Sequence, residues 1–116
     1  MTRRAILLLA AAAVPLACSD AHLDPLPFQV SVAANSTSPA LGDTVQFTVT
    51  TQGGQLVRVE TDYGDNSGDA FNTAGARTAR VLFRHPYAAR GTFTMRATVT
   101  DAVAGLKDAT IDIRVQ

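Results

Sequence analysis

From residue 28 onward the apolar residues recur with a period of two, which is the spacing of a half-buried β-strand and not of a helix. Residues 28–33 (FQVSVA) alternate apolar and polar. Residues 44–50 place Val45, Phe47 and Val49 on one face, and 56–60 continue with Val57 and Val59. Residues 79–83 point Ala79, Val81 and Phe83 inward. The longest run, 92–100, carries Phe93, Met95, Ala97 and Val99 on one face, and 109–115 ends with Ile111, Ile113 and Val115. Turn chemistry separates the runs, at Ser38-Pro39, Gly42-Asp43, Gly53-Gly54, Gly64 to Gly68, Gly75, Pro86 to Gly91 and Gly105. Six such strands, with a seventh short edge strand near 69–73, predict an all-β fold: a two-sheet antiparallel sandwich.

Threonine and valine dominate these runs, as a pleated, half-buried surface favours. The outward positions carry both signs of charge, at Arg58, Glu60, Arg96, Asp112 and Arg114. If the strands at 56–60, 92–100 and 109–115 are neighbours, these groups become cross-strand ion pairs on a solvated face. Phe28, Phe47, Phe83 and Phe93 fall on inward positions, while Tyr63, Phe71 and Tyr87 lie in or near loops. There is no tryptophan. A flat face of exposed aromatics for stacking sugars is therefore not predicted, which favours a protein over a polysaccharide as partner.

The first 27 residues obey a different pattern. Arg3 and Arg4 precede an uninterrupted small and apolar stretch at 5–17 (AILLLAAAAVPLA), which is too short to span a bilayer and has the length of a secretion-signal core. Residues 1–17 are thus read as a signal peptide. Thr2-Arg3-Arg4 also resembles a twin-arginine export signal, and both export routes remain open. The sequence Pro15-Leu16-Ala17-Cys18 resembles the lipobox of bacterial lipoproteins, with Pro15 and Leu16 departing from the usual residues. The resemblance implies that Cys18 becomes the lipid-attached first residue and anchors the protein to a membrane. Ser19 after it, in place of Asp, implies the outer membrane. Cys18 is the only cysteine in 116 residues, so no intrachain disulfide can hold the fold. Residues 18–27, with two prolines and no apolar period, form a lipid-anchored tether, and residues 28–116 form the domain.

Without the signal the chain has 8 basic and 10 acidic side chains, a charge of −2. That balance predicts neither nucleic-acid binding nor a polybasic patch for anionic lipid.

One segment carries more than strand pattern. Thr61-Asp62-Tyr63-Gly64-Asp65-Asn66 is followed some twenty residues later by His85-Pro86-Tyr87, then Gly91-Thr92-Phe93, then a strand ending in Val99-Thr100-Asp101. This series resembles the paired motifs of PKD domains, immunoglobulin-like sandwiches of bacterial surface proteins. Thr61 stands where that family has Trp, Asn66 where it has Gly, and Arg90 where it has Pro. The resemblance implies a non-catalytic binding module with an envelope or extracellular protein, or a polysaccharide, as partner. A structural spacer or assembly subunit is the first alternative.

The resemblance marks Asp62, Tyr63, Gly64, Asp65, Asn66, His85, Tyr87 and Gly91 as the candidate turn or ligand-loop residues. Asp62, Asp65, Asn66, Ser67 and Asp69 are rich in oxygen but lack EF-hand spacing. A structural turn is the expectation, with a calcium-dependent adhesive module as the further alternative. No nucleophile–base motif, phosphate loop or metal-ligand spacing is present, so no catalytic residue, cofactor or resident metal is predicted.

Overall fold

The structure is a computed structural model and describes residues 26–116. The signal, Cys18 and most of the tether lie outside the described residues. Five strands follow one another: β1 (Gln29–Ala34), β2 (Thr44–Asp62), β3 (Gly68–Pro86), β4 (Gly91–Asp101) and β5 (Gly105–Val115). All their ladders are antiparallel.

The seven strand segments read from the sequence are all strand, but four of them merge into two. Residues 44–50 and 56–60 both lie in β2, and 69–73 and 79–83 both lie in β3. Gly53-Gly54 and Gly75 therefore lie within strands, contrary to the separation that turn chemistry predicts. They mark corners within β2 and β3, where the register shifts between Gln52 and Arg58. The first half of β2 pairs with β1, the second half with β4, and β3 follows β2 through both halves. β5 closes the second layer against β4. The corners fold the continuous ladder into two layers that enclose one core. Val45, Phe47, Val49, Val81 and Phe83 come from the first layer, and Leu56, Val59, Met95, Val99 and Ile113 from the second.

The register shift overturns one inward assignment. Leu56 and Val59 are buried, and Val57 is exposed. An extra residue at a bulge turns the side chains on either side of it to unexpected faces. The charged outer face also differs in detail. Arg96 pairs across strands with Asp108 at 3.4 Å, Arg58 pairs with Glu60 of its own strand at 3.2 Å, and Asp112 accepts a bond from Thr94 Oγ1 at 2.8 Å.

Asp101, the last residue of β4, holds the β2 corner. It is only 2% exposed. Its carboxylate accepts the N–H of Gln55 at 2.5 Å, of Ala104 at 3.1 Å and of Gly54 at 3.3 Å. Burial alone would push its carboxyl up, but these backbone donors outweigh that and hold it below the usual range. One carboxylate thus joins the β2 corner to the β4–β5 turn, and β2 changes layers without orphaned donors.

Residues 37–41 run beside the end of β5 in the parallel sense. Arg114 donates to Thr37 O, Gln116 to Pro39 O, and Leu41 to Gln116 O, at 2.8–2.9 Å. Pro39 has no N–H to give this ladder, and it stands on a short outer segment where proline is tolerated.

Candidate functional site

The sandwich has two ends. The motif turns lie at one, with β2 running into residues 63–67 and β3 into residues 87–90. The corners, the β4–β5 turn and the start of β1 lie at the other, where Gln29 is opposite Gln52 and Leu56 is opposite Asp101.

The turn after β2 is built from its own polar residues. Asp62 Oδ1 accepts the Gly64 N–H at 2.9 Å, and Tyr63 N–H donates to Ser67 O at 2.9 Å. Gly64 has φ +86° and Asn66 φ 69°, the left-handed region that glycine and asparagine tolerate best. Gly91 opens β4 at φ +138°.

Tyr63 and Tyr87, which the sequence places in or near loops, are 1% and 2% exposed and belong to the core. Their rings join a continuous stack. Tyr63 lies parallel to His85 at 4.0 Å between centroids, His85 meets Tyr87 edge-on at 4.7 Å, and Tyr87 stacks on Phe93 at 4.7 Å. Phe47 contacts Tyr63 at 5.6 Å. Such pairs contribute about 0.5–1.5 kcal/mol each beyond area burial. The Tyr87 hydroxyl donates to Tyr63 O at 2.9 Å, which ties the turn after β3 to the turn after β2. The Tyr63 hydroxyl donates to Asp69 Oδ2 at 2.6 Å. Burial raises both phenols, that of Tyr87 to about 12 with further help from the Asp65 and Asp62 charges, so both stay neutral donors.

Asp65 and His85 are twenty residues apart in sequence and meet at 2.6 Å, His85 Nε2 to Asp65 Oδ2. The bond requires the proton on Nε2. Ser67 donates from its N–H and its hydroxyl to Asp65 Oδ1, and its hydroxyl lies 3.5 Å from His85 Nε2. Serine, histidine and aspartate side by side suggest a hydrolytic relay, but the geometry is wrong for one. A relay needs the carboxylate and the hydroxyl on opposite ring nitrogens. Here both face Nε2, and the hydroxyl bonds to the carboxylate itself. The trio locks a turn.

Burial by itself would raise the Asp65 carboxyl, but the bonds from Ser67 and His85 outweigh it and hold the carboxyl low. The sign follows from linkage. A depressed carboxyl stabilises the fold above its unfolded value of about 3.9, and that stability disappears as pH falls through the folded value. The unfolding free energy is expected to fall steeply below about pH 4, and Asp65→Asn is expected to flatten part of that slope. Urea midpoints measured from about pH 6 down to about pH 2 check this, and parallel curves for the two proteins would contradict it. The Asp101 carboxyl, also held low, contributes to the same slope.

The eight motif residues are thus brought to one end, with Gly91 at its margin. The sequence reasoning missed Ser67 as a partner of Asp65 and His85, Asp69 as the acceptor for Tyr63, Phe93 as the last ring of the stack, and Asp101 as a corner clamp. The signal for Asp101 was a carboxylate closing an alternating apolar strand. The oxygen-rich loop does not point its carboxylates at a common centre. Asp62 holds Gly64, Asp65 holds Ser67 and His85, and Asp69 holds Tyr63. Among the described residues no group of three or more His, Cys, Asp or Glu is placed to hold a metal.

A cavity of about 630 Å³ lies near the other end, among Gln29, Ser31, Gln52, Thr78, Arg80 and Lys107. Val30 and Ala79 line it as well, beside these amide, hydroxyl and cationic groups, and no aromatic ring does.

Two antiparallel layers, corners that carry strands from one layer to the other, and a tyrosine tying the inter-layer turns define an immunoglobulin-like sandwich. Residues 29–115 match the model of the PKD domain, and the chain belongs to that family. Solved structures agree on the fold. The chain is similar to the PKD domain of an M14-like peptidase from a Thermoplasmatales archaeon, at 22% identity over 79% of this chain and 96% of that one, with a TM-score of 0.67. It is similar to the sulfur carrier protein SoxY from Chlorobium limicola f thiosulfatophilum, at 18% identity over 75% and 78% of the two chains, with a TM-score of 0.63. It is also similar to the PKD domain of the human VPS10 domain-containing receptor SorCS2, at 20% identity over 79% and 74%, with a TM-score of 0.58. No curated protein matches the chain.

Proposed function

We propose that this chain is an exported lipoprotein that presents one PKD domain for non-catalytic binding of an envelope or extracellular protein. Residues 1–17 are the signal that export removes, Cys18 carries the lipid on the outer membrane, and 18–27 are the tether. The observation that carries the binding reading is that the chemistry-bearing motif side chains are engaged within the domain. Asp62, Asp65, Asp69, Tyr63, Tyr87 and His85 hold turns and rings together. What remains for a partner is the sheet surface and its edges, and that surface offers little aromatic area for sugars.

Two measurements test this reading. Cys18→Ala is expected to move the protein from the membrane fraction to the soluble fraction, and unchanged membrane association would refute the anchor. Chemical crosslinking in intact cells, followed by purification of the anchored protein, is expected to yield one stoichiometric protein partner. Retention on envelope polysaccharide without such a partner would overturn the choice of ligand.

The spacer or subunit reading has its own observation. Among the described residues β3 is paired only with β2 along Gly68–Pro86, so its far edge offers backbone groups to a further strand over both layers. A partner strand added there would be recognised by main-chain bonds. Crosslinks mapping to that edge would favour it.

A further inference from the structure

We infer that the corner end of the sandwich is a membrane-contact surface, resting on the bilayer that carries the lipid anchor. The inference depends on the anchor proposed at Cys18.

Three segments make this end: 53–58 at the β2 corner, 73–80 at the β3 corner, and 102–107 at the β4–β5 turn. Bonds from Asp101 to Gly54, Gln55 and Ala104, and from Ala102 N–H to Gln55 O, hold the first and last together. The surface they present is apolar. Val103 is 71% exposed, Leu106 70% and Val57 36%, and Ala74, Ala102 and Ala104 are exposed beside them. None of the three segments contains an acidic residue, and together they contain Arg58, Arg77, Arg80 and Lys107. Arg58 is paired with Glu60, and the Lys107 amine holds Phe28 O at 2.9 Å. The net charge gives no hint of this basic cluster, because folding gathers it from distant parts of the chain.

The tether enters at this same end. Lys107 Nζ grips Phe28 O, and Gln52 Nε2 donates to Pro27 O at 3.2 Å. Ten residue steps separate Cys18 from Phe28. Fully extended, they reach at most about 36 Å, so the corner end never travels far from the anchoring leaflet. Confinement on that scale corresponds to an effective concentration near millimolar, at which weak contacts suffice. Burying an exposed Val or Leu in the bilayer interface is favourable, and basic groups near an anionic leaflet are attracted to it. The opposite end carries Asp43, Asp62 and Asp65 along with Arg90 in its turns, and its exposed large apolar side chain is Leu41, at 39% against 71% and 70% for Val103 and Leu106. Docking by the corners therefore leaves the motif end and the outer sheet faces directed away from the membrane.

The test uses the full lipidated protein in vesicles of phosphatidylcholine and phosphatidylglycerol. Lipidation blocks Cys18, so a single introduced cysteine accepts an environment-sensitive fluorophore. Val103→Cys places the probe at the corner end, and Ser38→Cys places it at the motif end. The corner probe is expected to shift to the blue and to be quenched several-fold more by lipid-borne quenchers than the other. Adding Leu106→Asp is expected to abolish that difference while the protein still floats with the vesicles. Equal, weak quenching at both probes on vesicles that carry the protein would overturn the contact surface and leave the anchor intact. A protein that does not float would overturn the anchor and the surface together.

Discussion

Asp101→Ala is expected to destabilise the domain by about 3 kcal/mol, the largest effect of any single side-chain truncation outside the apolar core. The substitution leaves three backbone N–H groups, of Gly54, Gln55 and Ala104, without the acceptor that closes the corner. Unsatisfied donors in a part-buried site cost more than the net value of the bonds they lose. For a domain of this size the melting temperature should fall by roughly 12–24 °C. Asp101→Asn keeps the shape but turns a donor toward donors, so it should lie between wild type and alanine. Urea unfolding of the three proteins checks the order. A midpoint unchanged in Asp101→Ala would show that the β2 corner and the β4–β5 turn fold on backbone preference alone.

Gly64→Ala is expected to cost a similar amount, about 3 kcal/mol, from two sources that can be separated. The backbone there has φ +86°, and an added Cβ would lie 2.7 Å from Thr94 O. Gly42 supplies the comparison: its φ is +92°, and nothing lies within 4 Å of the added atom. Gly42→Ala therefore reports backbone strain alone, about 1–2 kcal/mol, and the excess at Gly64 reports the collision with β4. Thermal unfolding of both variants reads the difference. Equal losses would mean that β4 yields to the extra methyl without cost. Asn66, at φ 69°, already accepts the left-handed turn, so Asn66→Gly should change stability little.

The strands were legible because burial on one face writes a period of two into the sequence. Val45, Phe47 and Val49, or Met95, Ala97 and Val99, are inward for that reason alone. The corners were not legible as corners. Gly53-Gly54 has the composition of a turn, and what makes it a bend within one strand is a carboxylate some forty-five residues away. Val57 was misplaced for the same reason, since the bulge resets the alternation that sequence reading assumes to continue. The tyrosines lie beside turns, as the pattern has them, but their burial was not legible. Position beside a turn says little about burial when two turns and a histidine build a ring stack between the layers. The Asp65–His85 pairing depends on which strand ends meet, and that follows from the β2–β3 register, in which Asp62 faces Gly68 and Thr44 faces Pro86.

The central claim is that the motif loop serves the fold and leaves binding to the domain's surfaces. Thermal unfolding of wild type and Asp65→Asn at neutral pH, each with millimolar calcium and with chelator, tests it most directly. A ligand present at 100 times its Kd would stabilise the native state by about 2.7 kcal/mol, which no melt of this domain would miss. The account predicts that Asp65→Asn lowers the midpoint and that calcium moves neither protein. A midpoint that rises several degrees with calcium in wild type, and does not rise in Asp65→Asn, would contradict it and make the loop a cation site.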